Sequence, residues 1–140
     1  MDRLELARLL FHVGAWSFVV VGLGHVATEL VMGKRQQEPA VMKAMREYTV
    51  KLMGRDVDLL TMHRGFSYMM GIMLIAFGAI NALLVIVHPE LPFETKPLLW
   101  LNIAVSAVGL FMSYKYFFLA PIALTAISTL CFSGACFLMM

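Results

Sequence analysis

The sequence predicts an all-α polytopic membrane protein, an up-down bundle of four transmembrane helices with an interfacial amphipathic helix between helices 1 and 2. Of the 140 residues, 61% are hydrophobic, and the mean hydropathy is +0.81, whereas soluble domains contain about 45–50% apolar residues. Four apolar stretches also approach or exceed the roughly 20 residues that a helix needs to cross a bilayer. We expect one domain, residues 1–140, with helices at about 5–31, 60–88, 98–117 and 121–140.

Predicted helix 1 contains two polar groups that are unusual in a membrane helix. His25 and Glu29 lie one turn apart in otherwise apolar sequence. A charged side chain near the centre of a membrane helix costs roughly 2.5–3.5 kcal/mol, so both groups are expected to avoid lipid. Ala15, Gly22 and Glu29 repeat every seven residues and share one face. Because small residues let another helix approach closely, we expect this face to look into the bundle.

Residues 34–59 form the long polar section of the chain. Pro39 suits the first turn of a helix, and Gly54 suits the position just past its end. Apolar residues between them recur at three- and four-residue spacing, with cationic residues on the other face. This pattern predicts an amphipathic cytoplasmic linker whose helix lies on the membrane surface. The alternative is a solvated connector.

The other connections and helices follow simpler patterns. Three prolines within residues 88–97 are expected to exclude a helix there. Predicted helix 3 carries a small, polar stripe of the kind that faces inward in membrane bundles, and its members are Asn102, Ser106, Gly109 and Ser113. Predicted helix 4 has a polar edge of its own, formed by Thr125, Ser128, Thr129 and Cys136.

The distribution of basic residues predicts the orientation. Eight of the 11 Lys and Arg residues lie in the linker, at the start of predicted helix 2 or in the turn before predicted helix 4. Only Arg3, Arg8 and Lys96 lie on the other side. Because positively charged loops stay in the cytoplasm, we expect both termini outside.

With this topology, polar side chains from several helices meet at the cytoplasmic end of the bundle. We predict that the catalytic residues of a site there are His25, Glu29 and His63. Further residues of the same region are predicted to bind the ligand, and they are Arg64, Ser67, Tyr68, Tyr114 and Thr125. A neutral imidazole near pH 7 suits proton transfer, and an apolar bundle suits a lipid-like small molecule.

Other interpretations of this cluster stay open. In a structural one, Arg64 pairs with Glu29 or Asp58, and the polar groups only pack the helices. Metal or haem ligation would use His25, Glu29 and His63, which is a known ligand set. No HExxH or CxxC spacing supports it, so no metal site is predicted. Proton-coupled transport needs a buried carboxylate. The sequence identifies no cofactor and leaves open whether the protein is an enzyme.

Three short stretches, GLGH at 22–25, HRGFSYMMG at 63–71 and YFFLAP at 116–121, carry a family resemblance. In their order and spacing they resemble an uncharacterised family of small four-helix bacterial integral membrane proteins. The resemblance implies a four-helix architecture and a location in the bacterial inner (plasma) membrane. It implies no particular activity, so no catalytic residue is transferred from it.

The expected partners follow from size and charge. The net charge of +2 is too small to indicate nucleic-acid binding. Four helices of this length bury little interior, so we expect a homo-oligomer or a subunit of a larger membrane complex. The lipid bilayer and an apolar small molecule are the other expected partners.

Overall fold

The computed structural model describes residues 2–33 and 39–140. Within them the four long helices are α1 (Arg3–Gly33), α3 (Leu59–Val87), α5 (Lys96–Tyr116) and α6 (Leu119–Leu138). The shorter elements are α2 (Ala40–Glu47), β1 (Thr49–Leu52), β2 (Arg55–Asp58) and α4 (Leu91–Glu94).

The four long helices confirm the predicted helical class. Each of α1, α3, α5 and α6 is long and apolar enough to cross a membrane. Their bounds lie within a few residues of those expected from hydropathy. The chain therefore has the pattern of a multi-pass helical membrane protein, to which the structure adds one small antiparallel sheet.

Side-chain caps fix where two of these helices begin. At the start of α1, the carboxylate of Asp2 accepts a hydrogen bond from the N–H of Glu5 at 2.9 Å, and the carboxylate of Glu5 accepts one from the N–H of Asp2 at 3.1 Å. This reciprocal capping box satisfies N–H groups that the first turn of a helix leaves unpaired. At the start of α3, Asp58 accepts hydrogen bonds from the N–H and the hydroxyl of Thr61, at 2.8 and 2.7 Å.

The linker differs from its prediction. Residues 34–38 of the predicted segment lie outside the described residues. The helix expected between Pro39 and Gly54 ends at Glu47, and a β-hairpin follows it. The three- and four-residue spacing predicted one long helix, but only the first half of this stretch, Ala40–Glu47, is helical.

The local sequence explains why a hairpin forms. Thr49 and Val50 are β-branched and pack well in a pleated strand. Met53 and Gly54 have φ values of 46° and 85°, and two successive positive values are typical of the type I′ turn that suits the twist of a two-residue hairpin. Gly54 is therefore a turn residue and not the residue that follows a helix.

The proline-rich connection also differs from its prediction. The one-turn helix α4 lies where three prolines were expected to exclude any helix. Pro92 is in the first turn of α4, and Pro97 is in the first turn of α5. Proline is tolerated there, since the N–H that it lacks has no partner within the helix.

The chain divides into two compact units. The first comprises Met1–Val21 and Leu74–Met140, and the second comprises Gly22–Met73.

Aromatic side chains form the core of the first unit. Phe11 packs edge-on against Phe132 and Phe93, with ring centroids 5.0 and 6.0 Å apart, and Phe18 packs in the same way against Phe77 at 5.0 Å. Phe11, Phe18 and Phe132 are at most 1% exposed. Such pairs contribute about 0.5–1.5 kcal/mol beyond their buried area, so α1, α3, α4 and α6 are held together here.

The polar stripe of α5 is mostly buried in this unit, as its spacing predicts, and the buried members are Asn102, Ser106 and Ser113. The amide of Asn102 and the hydroxyl of Ser106 donate to carbonyl oxygens of α5 itself, both at 2.9 Å. On α6, the hydroxyl of Ser128 donates across to the carbonyl oxygen of Gly14 on α1 at 2.9 Å. These groups pack and join helices.

Candidate functional site

The second unit contains a buried acidic group. Glu29 lies near the end of α1, and its side chain is only 8% exposed. The surrounding sequence of α1 is apolar, and the helix is one of the four that can cross a membrane. A carboxylate in such a position requires polar partners, because its desolvation is costly.

Two basic side chains of α3 face this carboxylate. The Nε2 atom of His63 lies 3.7 Å from one oxygen of Glu29, and the Nε atom of Arg64 lies 4.0 Å from the other. Both distances exceed the roughly 2.7–2.9 Å of a direct charge-assisted hydrogen bond. The three groups are therefore close enough to interact electrostatically and far enough apart to admit a bridging polar atom.

The exposure of the two basic groups differs. The side chain of His63 is 58% exposed, whereas that of Arg64 is 30% exposed. In the described part of the chain, the Nε atom of Arg64 is buried and has no hydrogen-bond partner. His63 thus connects the buried carboxylate of Glu29 to the surface of this unit, and Arg64 presents a donor beside the same carboxylate.

A close approach of α1 and α3 positions these groups. A Cβ added at Gly71 would lie 3.1 Å from the carbonyl oxygen of Gly22 and 3.3 Å from the Cβ of His25. Glycine at this position lets the two backbones meet. His25, which is half-buried, therefore packs beside Gly71, one helical turn before Glu29.

The structure brings together only some of the predicted site residues. Ser67 and Tyr68 are half-buried on α3, about one turn after the basic pair. Tyr114 and Thr125 belong to the first compact unit. Tyr114 is 77% exposed, and the hydroxyl of Thr125 donates to the carbonyl of Pro121 on its own helix at 2.7 Å. Their part in the site stays a prediction.

Metal-ligand clusters and surface grooves are the other features of a protein that can form a site. Among residues 2–33 and 39–140, no group of three or more His, Cys, Asp or Glu side chains is placed to hold a metal ion. An open groove of about 450 Å³ lies in the first unit between the start of α1 and the end of α6. Its lining contains none of the predicted site residues, and Asp2 within it already caps α1.

Two features of the structure were not predicted from the sequence, the close approach of α1 and α3 at glycines and an ion pair between residues far apart in the chain. Gly71 and Gly78 are seven residues apart, the same spacing as Ala15 and Gly22 on α1, and this matched spacing was the available signal for a close helix pair. The ion pair between Arg8 and Glu90 in the first unit joins residues 82 positions apart, and nothing in the local sequence indicates it.

Asp58, which caps α3, has a shifted pKa and lies outside the four helices that are long and apolar enough to cross a membrane. The backbone N–H of Thr61, and then its hydroxyl, donate to the Asp58 carboxylate and hold its pKa below its usual value. Hydrogen bonds to the charged form of an acid favour that form. Asp58 therefore caps α3, and of the two partners suggested for Arg64, the ion pair found within residues 2–33 and 39–140 is the one with Glu29.

Comparison with known proteins gives no further guide: no protein-family model, curated protein or solved structure matches this chain.

Proposed function

We propose that the protein binds a hydrophobic small molecule at the cytoplasmic ends of α1 and α3, where Glu29, His63 and Arg64 meet. The supporting observation is the buried Glu29 carboxylate, which faces a surface-connected imidazole at 3.7 Å and a guanidinium nitrogen at 4.0 Å. The ligand class is a lipid-like molecule whose head group carries oxygen atoms.

The chemistry of the head group follows from the polar atoms around it. The Nε–H of Arg64 is a donor without a partner in the described chain, and it suits a carbonyl, hydroxyl or phosphate oxygen. The Glu29 carboxylate is an acceptor for a hydroxyl hydrogen. Apolar side chains of α3, such as Phe66 and Met69, are exposed beside these residues and suit an acyl or prenyl chain.

Proton transfer is the reaction that this site can support. His63, whose side chain is 58% exposed, exchanges a proton between the bound ligand and the aqueous phase, while the Glu29 carboxylate stabilises the protonated imidazole and accepts a hydrogen bond from a ligand hydroxyl. An imidazole can both accept and donate a proton, which suits this exchange. His25, one turn away on α1, is the second imidazole of the predicted catalytic set.

The proposed location is the cytoplasmic face of the cell inner membrane. Described basic residues cluster between and next to the ends of α1 and α3 that carry the site, and they are Lys43, Arg46, Lys51, Arg55 and Arg64. The positive-inside rule then places this end in the cytoplasm and both termini outside. The resemblance to small bacterial four-helix proteins supports the same membrane.

Native mass spectrometry of the purified protein, with metal analysis of the same sample, tests the proposal. The wild-type chain should carry a co-purifying apolar molecule, and Glu29→Gln and His63→Gln should lose most of it. Glu47→Gln and His88→Gln are matched controls, because both residues are exposed and neither is among the predicted site residues; they should keep the ligand. All variants should elute as folded protein.

A ligand retained equally by all four variants, or a wild-type chain without any bound molecule, would refute this function. The same spectra report the oligomeric mass, and the proposed homo-oligomer or complex should appear as a multiple of the chain or with a second subunit.

A second candidate is a non-enzymatic structural subunit of a membrane complex. It is favoured by the way in which Glu29 joins α1 to α3 through two basic neighbours, and by polar side chains such as Asn102 that bond to backbone carbonyls. In that case Glu29→Gln costs about 1 kcal/mol of stability, the size of a membrane hydrogen bond, and leaves the mass spectrum unchanged.

A further inference from the structure

The connection between α1 and α3 exposes an unusual amount of apolar surface. Helix α2 has no buried residue. Val41 on α2 is 65% exposed, and Tyr48 and Leu52 are 63% and 44% exposed. Met53, at the tip of the hairpin, is fully exposed at 105%. Contiguous exposed apolar side chains on a soluble surface are uncommon and mark an interaction site.

The hairpin separates apolar from polar side chains by face. Successive strand residues point to opposite sides, and the register pairs Val50 with Val57 and Lys51 with Asp56. Leu52 therefore shares one face with both valines. The opposite face carries Lys51 and Asp56 as a cross-strand pair of opposite charge. The first face therefore has the composition expected in contact with an apolar phase, and the second has the composition expected in contact with water.

The fold keeps this hairpin close to the start of α3, a helix that is long and apolar enough to cross a membrane. The N–H of Leu59, the first residue of α3, donates to the carbonyl of Tyr48 at 3.0 Å, so the base of the hairpin is fixed to the start of a spanning helix. A four-residue strand is about 13 Å long at roughly 3.3 Å per residue. Five residue steps separate the turn at Gly54 from Leu59, so the tip of the hairpin lies within about 17 Å of the point at which α3 begins.

The turn residues agree with this location. A type I′ turn in water usually has Asn or Asp at its first position, since these residues tolerate positive φ. Here Met53 occupies that position at φ 46°. A large apolar residue at a strained, fully exposed tip has no packing partner in the described chain, and lipid supplies one.

We infer that the hairpin lies in the head-group layer of the bilayer, with the face of Val50, Leu52 and Val57 and the tip at Met53 turned toward the acyl chains. Arg55, next to the tip on the apolar face, is long enough to reach lipid phosphates while its stem stays in the apolar layer. The occupant of this surface is thus the membrane that the four helices cross, and anionic lipid is favoured by the basic residues of the segment.

Site-specific fluorescence in vesicles tests the inference. Met53→Cys and Asp56→Cys are made in a chain that carries Cys131→Ala and Cys136→Ala, labelled with an environment-sensitive dye and reconstituted into phosphatidylcholine–phosphatidylglycerol vesicles. Since an interfacial apolar face sits roughly 5–10 Å into the boundary, quenching by a lipid-attached nitroxide should be at least about twofold stronger at position 53 than at position 56. The emission at position 53 should also be blue-shifted.

A chain that retains one native cysteine is the control for folding. If the double cysteine replacement prevents folding, Cys136 is retained, because it is only 6% exposed and does not label. Equal quenching and equal emission at positions 53 and 56 in vesicles would overturn the inference. That result would show a hairpin in water, whose apolar face is left for a soluble partner. A loss of the blue shift in Leu52→Ser, but not in Thr49→Ser, would support it.

Discussion

Replacing Gly78 by alanine tests the close approach of α1 and α3 in the first compact unit. A Cβ at this position would lie 2.5 Å from the carbonyl oxygen of Ala15, and 2.8 and 2.9 Å from the Cγ2 and backbone N atoms of Val19. Two of these three atoms belong to the backbone, so side-chain rotation cannot relieve the overlap. Ordinary contacts begin near 3.4 Å, and the backbones must therefore move apart by about 0.9 Å.

The magnitude follows from two opposing effects. Overpacking of this kind costs about 1–3 kcal/mol, while the better helix propensity of alanine returns up to about 1 kcal/mol. We expect Gly78→Ala to lower the free energy of unfolding by about 1–2 kcal/mol. Gly65→Ala on the same helix is the matched control, because no described atom lies within 4 Å of its added Cβ. It should be neutral or slightly stabilising.

Unfolding in mixed micelles, with increasing sodium dodecyl sulphate and detection by far-ultraviolet circular dichroism, measures the difference. The loss of unfolding free energy for Gly71→Ala should fall between those of the two variants. The nearest atom to its added Cβ, at 2.8 Å, is a methyl group of Val26, which can move, whereas the backbone oxygen of Gly22 at 3.1 Å cannot move as easily. Unfolding of Gly78→Ala and Gly65→Ala at the same detergent fraction would contradict a close backbone contact of α1 and α3 at Gly78.

Three further predictions concern the second unit. A double-mutant cycle of Glu29→Gln and Arg64→Gln should give a coupling energy of about 1 kcal/mol in the same unfolding assay, since Arg64 is partly exposed; zero coupling would contradict the pairing. Gly54→Ala should destabilise the hairpin by about 1–2 kcal/mol through its φ of 85° alone, and faster hydrogen exchange of the strand amides would report it. Because the folded-state pKa of Asp58 is lowered, its stabilisation of α3 is full above the usual pKa of an aspartate and is lost as the pH falls through the lowered value. The protection factor of the Thr61 amide, which is the exchange rate of an unstructured chain divided by the observed rate at the same pH, should therefore fall in acid in the wild type. An Asp58→Asn chain whose protection factor keeps the same acid dependence would refute this.

The site was partly predictable from sequence. His25 and Glu29 stand out because an apolar helix seldom carries them, and the topology of adjacent helices brings His63 and Arg64 to the same end. In the structure the Glu29 carboxylate lies beside this basic pair, and the role of these residues in a site stays a prediction. The sequence could not give the distances of 3.7 and 4.0 Å, because helical spacing fixes the face of a residue and says nothing of the register between helices.

The linker shows the limit of periodicity. Its apolar residues satisfy a helical spacing and, between Tyr48 and Leu52, also the alternation of a strand. Over so few residues, the spacing of apolar residues does not distinguish a helix from a strand. The hairpin is decided by the turn at Met53 and Gly54 and by the hydrogen bond that fixes Leu59 to Tyr48. This bond joins residues 11 positions apart, and the spacing of apolar residues carries no information about it.

The sequence by itself determined four helices able to cross a membrane, because hydropathy and length are properties of each segment alone and need no partner. It also determined which face of α1 and of α5 would be polar or small. Only the tertiary structure decided which of these faces touch and at what register. The backbones meet where glycine leaves room, at Gly71 and Gly78, and that fit depends on two helices at once.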